Sequence, residues 1–313
     1  MSAAVSLAPL LPAPLYQGSV NTWECDEGGH LNVRFHIERL TYGLMHFTHA
    51  LAMPRAFTPG AMSTLAPLDL HMRFHREALP PGPLSMHGAV TQIGEDDITL
   101  CCDMRHPDGA YGTTFTLRAA HVETSTEKRF AWSSRTRAAA EALKRPLPAH
   151  AAPRSIDLTR TPCEASRARA AELGAMRIGA TGVTPDQCDA FGRLRIEHFF
   201  GRVSDSVPWL LANYRRGLAS SGAVMPAGAV VEARIAFRKR PRVGDLIEIH
   251  SGVVELFGKT MRIVHWLCDP ISGGAWATFE VVALSFDKET RKAIEPTPSA
   301  REAIAKQFVK LTI

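Results

Sequence analysis

Apolar residues recur at helical spacing at Val33, Ile37, Leu40, Leu44, Phe47 and Leu51, which predicts one long helix carrying a single apolar stripe. Downstream the period changes: Leu68, Leu70, Met72 and Phe74 alternate with Asp69, His71, Arg73 and His75, the pattern of a strand with one buried face. Strand-like runs follow over 84–93, 97–105 and 111–122, after the turn signal Pro80-Pro81-Gly82. The whole series then returns. A shift of 163 residues, the interval from Cys25 to Cys188, carries the stripe onto Ile196, Phe200, Val203, Val207, Leu210 and Tyr214. The same shift carries the alternating strand onto Val231, Ala233, Ile235 and Phe237, and further strand runs recur near 246–256, 259–268 and 275–286. Each half therefore reads as strand, long helix, then four strands, which predicts a duplicated α+β fold with an antiparallel sheet covering one helix in each copy. The boundaries read as 15–130 for the first unit, 131–175 for a linker with two Ala/Arg-rich helical stretches and a Pro-rich segment, and 176–313 for the second unit. That second unit closes with an amphipathic helix from about Pro298 to Phe308, and Pro208 predicts a local kink in its long helix.

Composition narrows the class. Of 313 residues, 45% are hydrophobic and 21% charged, enough apolar surface for a sizeable core and too much for a disordered chain. The balance of 36 Lys and Arg against 31 Asp and Glu gives a net charge of +5, a surplus that suits a phosphate-bearing ligand. It is not gathered into the dense basic stripe a nucleic-acid partner would want. Six cysteines without a CxxC pair read as reduced thiols, so a cytoplasmic location is expected. Pro9, Pro12 and Pro14 interrupt the uncharged lead-in, which reads as floppy rather than as a signal peptide. There is no apolar run of about 18 residues, so no membrane-spanning helix is expected.

The repeat is sharpest just before each long helix, where Cys25-Asp26-Glu27-Gly28-Gly29-His30-Leu31 faces Cys188-Asp189-Ala190-Phe191-Gly192-Arg193-Leu194. The second copy keeps the Asp, a Gly and the Leu but has Arg193 and Arg195 where the first has His30 and Asn32. Strand, Asp-x-x-Gly-x-Leu, long helix, antiparallel sheet: the chain resembles the 4-hydroxybenzoyl-CoA thioesterase-like branch of the hotdog superfamily, over approximately residues 15–125 and 176–290. The resemblance implies a tandem double hotdog in which a curved sheet wraps each helix and the two fused halves form a pseudo-dimer with two clefts. It implies an acyl-CoA thioesterase, coenzyme A entering as part of the substrate with no further cofactor and no metal, and a homo-oligomer of double-hotdog chains is compatible with it.

Thioester hydrolysis needs an activated water or an attacking carboxylate, together with donors for the charge that grows on the carbonyl oxygen. Asp26 lies seven residues before Val33, so its carboxylate can sit where free amides open the helix, with the Val33 N–H as candidate oxyanion donor. Asp189 and the Ile196 N–H are the second-copy counterparts, and nearby Arg193 and Arg195 would weaken Asp189 as a base. Gly28 and Gly29 let an acyl group approach the backbone, Asn32 has the chemistry of an N-cap, and His30 either polarises substrate or orders the loop. Candidate substrate contacts are thus Gly29, His30, Asn32, Gly192 and Arg193. The run Arg234, Arg238, Lys239, Arg240 and Arg242 reads either as a solvated sheet edge or as a contact for coenzyme A phosphates, carried by Arg238, Lys239 and Arg240. Cys25 and Cys188 read as packing residues rather than nucleophiles, and the pairs His46/His49 and His71/His75 lack the framework of a metal site. A noncatalytic acyl-CoA-binding module and a hotdog hydratase or dehydratase are the rival functions. The sequence leaves the acyl group, and acyl carrier protein against coenzyme A as its donor, open.

Overall fold

A computed structural model describes residues 14–219, 227–287 and 289–313. The lead-in before residue 14 lies outside the described residues, as does the side chain of Tyr214. The first half runs β1 (Tyr16–Ser19), α1 (Val33–Ala50), β2 (Ser63–Phe74), β3 (Pro83–Ile93), β4 (Asp97–Arg105) and β5 (Tyr111–Glu123). The second repeats it as β6 (Met176–Gly182), α4 (Ile196–Ala219), β7 (Ala227–Phe237), β8 (Leu246–Phe257), β9 (Thr260–Cys268) and β10 (Ala275–Phe286). Between them lie α2 (Ser134–Ala142) and α3 (Arg167–Glu172), and β11 (Ala293–Ile294) and α5 (Pro298–Ala305) follow. Helix α4 runs through Pro208.

Both halves share one antiparallel sheet in the order β1-β3-β4-β5-β2-β7-β10-β9-β8-β6, with β11 beside β10. The halves join where β2 pairs with β7 from Asp69↔Ala236 to Arg73↔Glu232. On the inner face the stripes of α1 and α4 bury Ile37, Leu40, Leu44, Phe47, Phe200, Val203 and Leu210 against Leu70, Met72, Ile235 and Phe279 in one continuous core. The two helices also pack on each other. This is the duplicated α+β arrangement the residue pattern predicts and the double hotdog the resemblance implies, and the shared sheet is what makes it a pseudo-dimer.

The outer face at the seam corrects an expectation. Period-two alternation puts His71, Glu232 and Arg234 on the side away from the helices, where solvent would be expected, yet all three are buried. They are covered by the linker, whose irregular backbone needs hydrogen-bond partners that no ladder supplies. Arg73 donates to the carbonyls of His150 and Ala152, and Glu232 accepts from the N–H groups of Arg154 and Ser155. Arg234 donates to Asp157 and Arg160 carbonyls and pairs with Asp69 at 2.9 Å. The basic run therefore does not edge a sheet: β7 is central, and its first arginine ties the linker down.

Candidate active site

Each Asp loop is a tight bulge closed by an antiparallel bridge, Cys25↔Leu31 in the first and Cys188↔Leu194 in the second. The turn needs one residue in left-handed conformation, supplied by Gly29 (φ 76°) and Gly192 (φ 73°). Neither glycine lines either of the clefts between the halves, so their part is to shape the loop. Two clefts result, and both lie between the halves. The first loop faces α4, β7, β9 and β10 of the other half across a cavity of about 170 Å³ lined by Asp26, His30, Asn32, Val33, Ser204 and Val207 among others. The second loop faces α1, β2 and β5 across a cavity of about 240 Å³ lined by Asp189, Arg195, Ile196, Arg240, Thr41 and Leu44. The 163-residue shift relates Thr41 to Ser204 and Leu44 to Val207, so each loop looks at the same face of its partner's helix.

In the first cleft Asp26 Oδ1 accepts the Gly28 N–H at 2.8 Å, while Oδ2 lies 3.1 Å from His30 Nε2. Burial alone would raise the Asp26 carboxyl, but the hydrogen bond and charge of His30 and the backbone N–H groups of Gly28 and His30 outweigh it and hold it below its ordinary 3.8. Asp26 is therefore ionised at neutral pH. Asn32 is the N-cap of α1 and accepts from Arg34 N–H at 2.9 Å, with the Ser204 hydroxyl of the other half at 3.4 Å. The cap engages the second helical amide, so the Val33 N–H at the helix tip stays clear of it and lines the cavity.

Sequence reasoning missed three residues here. Glu77 lies 3.5 Å from His30 Nδ1 on the far side of the imidazole from Asp26. Arg291, in the connection between β10 and β11, holds Glu77 through Nε (3.1 Å) and Nη2 (2.5 Å) and donates from Nη1 to the Gly28 carbonyl at 2.7 Å, clamping the loop from the other half. Both border a second cavity of about 330 Å³ lined also by Arg76, His36 and Phe286, which shares His30, Val33, Ala229, Val230 and Leu284 with the first. The third is His265, deep in the cavity wall. Position along the chain gave no signal for Arg291, since it lies 263 residues from Gly28.

The second cleft is wired differently. Asp189 Oδ1 accepts from the N–H groups of Phe191 and Arg193, and Oδ2 forms an ion pair with Arg240 at 2.5 Å, both side chains nearly buried. The two cations expected beside Asp189 direct their guanidinium groups to other partners. The Arg193 side chain is 1% exposed and turned onto Glu127 (3.0 Å) and the Thr124 carbonyl, and it lines neither cleft. Arg195 turns to Glu197 at 3.1 Å and to the Asp186 carbonyl. An arginine has no acceptor, so the helix start at Ile196 lacks the side-chain cap that Asn32 gives α1. Of the three residues assigned to phosphates, Arg238 bonds the Cys163 carbonyl in a separate hollow, Lys239 borders neither cleft, and Arg240 is spent on Asp189. Cys188 does line its cleft, yet burial pushes both its thiol and that of Cys25 above the ordinary range, away from the reactive thiolate. Among the described residues no group of three or more His, Cys, Asp or Glu is arranged to hold a metal ion, and no helix is long and apolar enough to cross a membrane.

The comparisons bear on the family and the fold. A family model described as the thioesterase-like superfamily matches residues 20–148 and 183–306, one segment for each loop and its helix. Among solved structures, a putative oleoyl thioesterase from Lactobacillus plantarum is 10% identical over 87% of this chain and 96% of its own, with a TM-score of 0.65. The 12:0-ACP thioesterase from Umbellularia californica is 11% identical over 86% of this chain and 93% of its own, also at 0.65. An acyl-ACP thioesterase from Bacteroides thetaiotaomicron is 12% identical over 86% and 96%, at 0.60. At these identities the likeness is one of fold. No curated protein matches the sequence.

Proposed function

Because the chain belongs to the thioesterase-like superfamily, thioester hydrolysis is the chemistry its clefts have to explain, and we propose that it hydrolyses acyl-CoA at the first cleft alone. The observation that carries this reading is the pairing of an ionised Asp26 with His30 beside the uncapped Val33 amide. The acyl chain lies in the cavity against α4, and the thioester carbonyl oxygen points at the Val33 N–H, where the helix tip offsets the charge that develops on it. Asp26 and His30 together orient a water and take its proton as its oxygen attacks the carbonyl carbon. Collapse of the tetrahedral species breaks the C–S bond, and the proton passes to the departing thiolate, giving free acid and coenzyme A. The adjoining cavity receives the coenzyme A arm, and Arg76 at its border, an exposed side chain paired with Asp108 at the surface, replaces Arg238 and Lys239 as the cation offered to its phosphates. Free-thiol release from a panel of acyl-CoAs and the matching acyl carrier protein thioesters tests the reading. Turnover of acyl-CoA is expected; tight acyl-CoA binding without any thiol release would favour the noncatalytic module.

A further inference from the structure

The cavity behind Asp26 is walled mainly by Phe200, Val203, Val207, Ile263, Val281 and Ala283, and in that apolar wall stands one imidazole, His265. It is 1% exposed, and its Nδ1 lies 2.7 Å from the hydroxyl of the fully buried Ser251, its cross-strand partner. Register sets its depth. Along β9 and β10, Met261 faces Ala283, Ile263 faces Val281 and His265 faces Phe279, whereas Leu284 and Ser285 lie at the Asp26 end. Ser285 and Phe279 are six strand steps apart, on the order of 20 Å at strand rise, and Phe286 next to Ser285 packs on His30, so the Ser251–His265 pair sits far from the reacting carbonyl.

The molecule contains its own control. The 163-residue shift carries Ser251 and His265 onto Gly88 and Cys102, a cross-strand pair in the same register between β3 and β4. There the space is filled by apolar atoms: a Cβ on Gly88 would meet Leu15 and Phe47 at 2.8 Å and Cys102 Sγ at 3.0 Å. The fold thus stands without polar atoms at this place, and burying an imidazole and a hydroxyl instead carries a desolvation cost that packing does not require. Burial pushes His265 to about 3, so the ring is neutral at working pH. With Nδ1 engaged by Ser251, Nε2 has no hydrogen-bond partner among the described residues and donates or accepts according to which way the Ser251 proton points.

We propose that Ser251 and His265 form a polar floor to the acyl cavity and select thioesters whose acyl chain carries a hydrogen-bonding group, such as a hydroxyl, at its far end. The proposal rests on the reading that the first cleft holds the acyl chain. A site built to hydrogen-bond a substrate group rejects the analogue that lacks it, because its own buried polar atoms are left unpaired, whereas an apolar pocket rejects an added hydroxyl only weakly.

The test compares hexanoyl-, octanoyl-, decanoyl- and dodecanoyl-CoA with their ω-hydroxy counterparts on the wild-type chain, His265→Leu and Ser251→Ala. In the wild type at least one hydroxylated member is expected to exceed its plain partner in kcat/KM by about tenfold or more. His265→Leu should abolish or invert that ratio, and Ser251→Ala, which keeps the ring, should reduce it. Plain chains preferred throughout by the wild type, or a ratio unchanged in His265→Leu, would overturn the floor. Calorimetric binding of the same pairs to Asp26→Asn, with and without His265→Leu, separates this from the parent reading. Discrimination in binding that depends on His265, with no hydrolysis by the wild type, leaves the floor standing and removes the activity. Binding of neither class removes both.

Discussion

The two Asp loops have the same bulge, the same left-handed glycine and the same view of the opposite helix, yet they hold their carboxylates against chemically opposite partners. Asp26 faces an imidazole that can give or take a proton, with Glu77 behind it, and a helix start whose cap leaves the Val33 amide clear. Asp189 faces Arg240, a guanidinium that stays charged and donates only, and a helix start where Arg195 cannot cap. Duplication preserved the scaffold in both copies, while three side-chain exchanges, His30 for Arg193, Asn32 for Arg195 and Glu77 for Arg240, separate a proton-transfer pair from a neutralised one. Shape makes a cleft; the partner of the carboxylate decides whether it can do chemistry.

The comparison can be broken by making the first cleft resemble the second. Asn32→Arg removes the cap that fixes the helix tip at Val33, as Arg195 leaves α4 without one, and it should lower kcat for acyl-CoA about a hundredfold, the size of losing one oxyanion donor. Steady-state thiol release checks it, and unchanged kcat would show that the capped helix tip is irrelevant. Arg240→Met strips Asp189 of its cation in a nearly buried site and should cost about 2 kcal/mol of unfolding free energy, below the range for fully buried pairs because both groups keep some solvent. Urea unfolding reads the loss, and hydrolysis should stay within about twofold, as expected if the second cleft is structural. The smallest effect sharpens the first pair. Asp26 sits below 3.8 mainly because His30 offsets its burial, so the carboxylate is ionised above that value and activity falls only as pH drops through the depressed value. His30→Gln should move the acid limb of kcat/KM upward and reduce its plateau about tenfold. A limb that stays in place would show that another group sets it.

What the sequence made legible was whatever repeats locally. The stripes of α1 and α4, the strand alternation and the loops came through because helix and strand periods are written in neighbouring residues. The partner of Asp189 and the clamp on the first loop were not, because they arrive from elsewhere: Arg240 is 51 residues from Asp189, and Arg291 reaches Gly28 and Glu77 from the opposite half. The alternation at His71 predicted solvent on its outer side and missed the linker, because period two reports one buried face and says nothing of what covers the other. Reading the repeat for its mismatches as well as its matches would have exposed the polar pair: Ser251 and His265 stand where the first half has Gly88 and Cys102.

Thiol release from a hydrolysed acyl-CoA, measured side by side for Asp26→Asn and Asp189→Asn, addresses the account at its centre. It predicts a loss of about a thousandfold in kcat for Asp26→Asn and a change within about threefold for Asp189→Asn, the first removing the group that activates water and the second touching only an ion pair. Equal losses from both substitutions, or a silent Asp26→Asn beside an inactive Asp189→Asn, would contradict it.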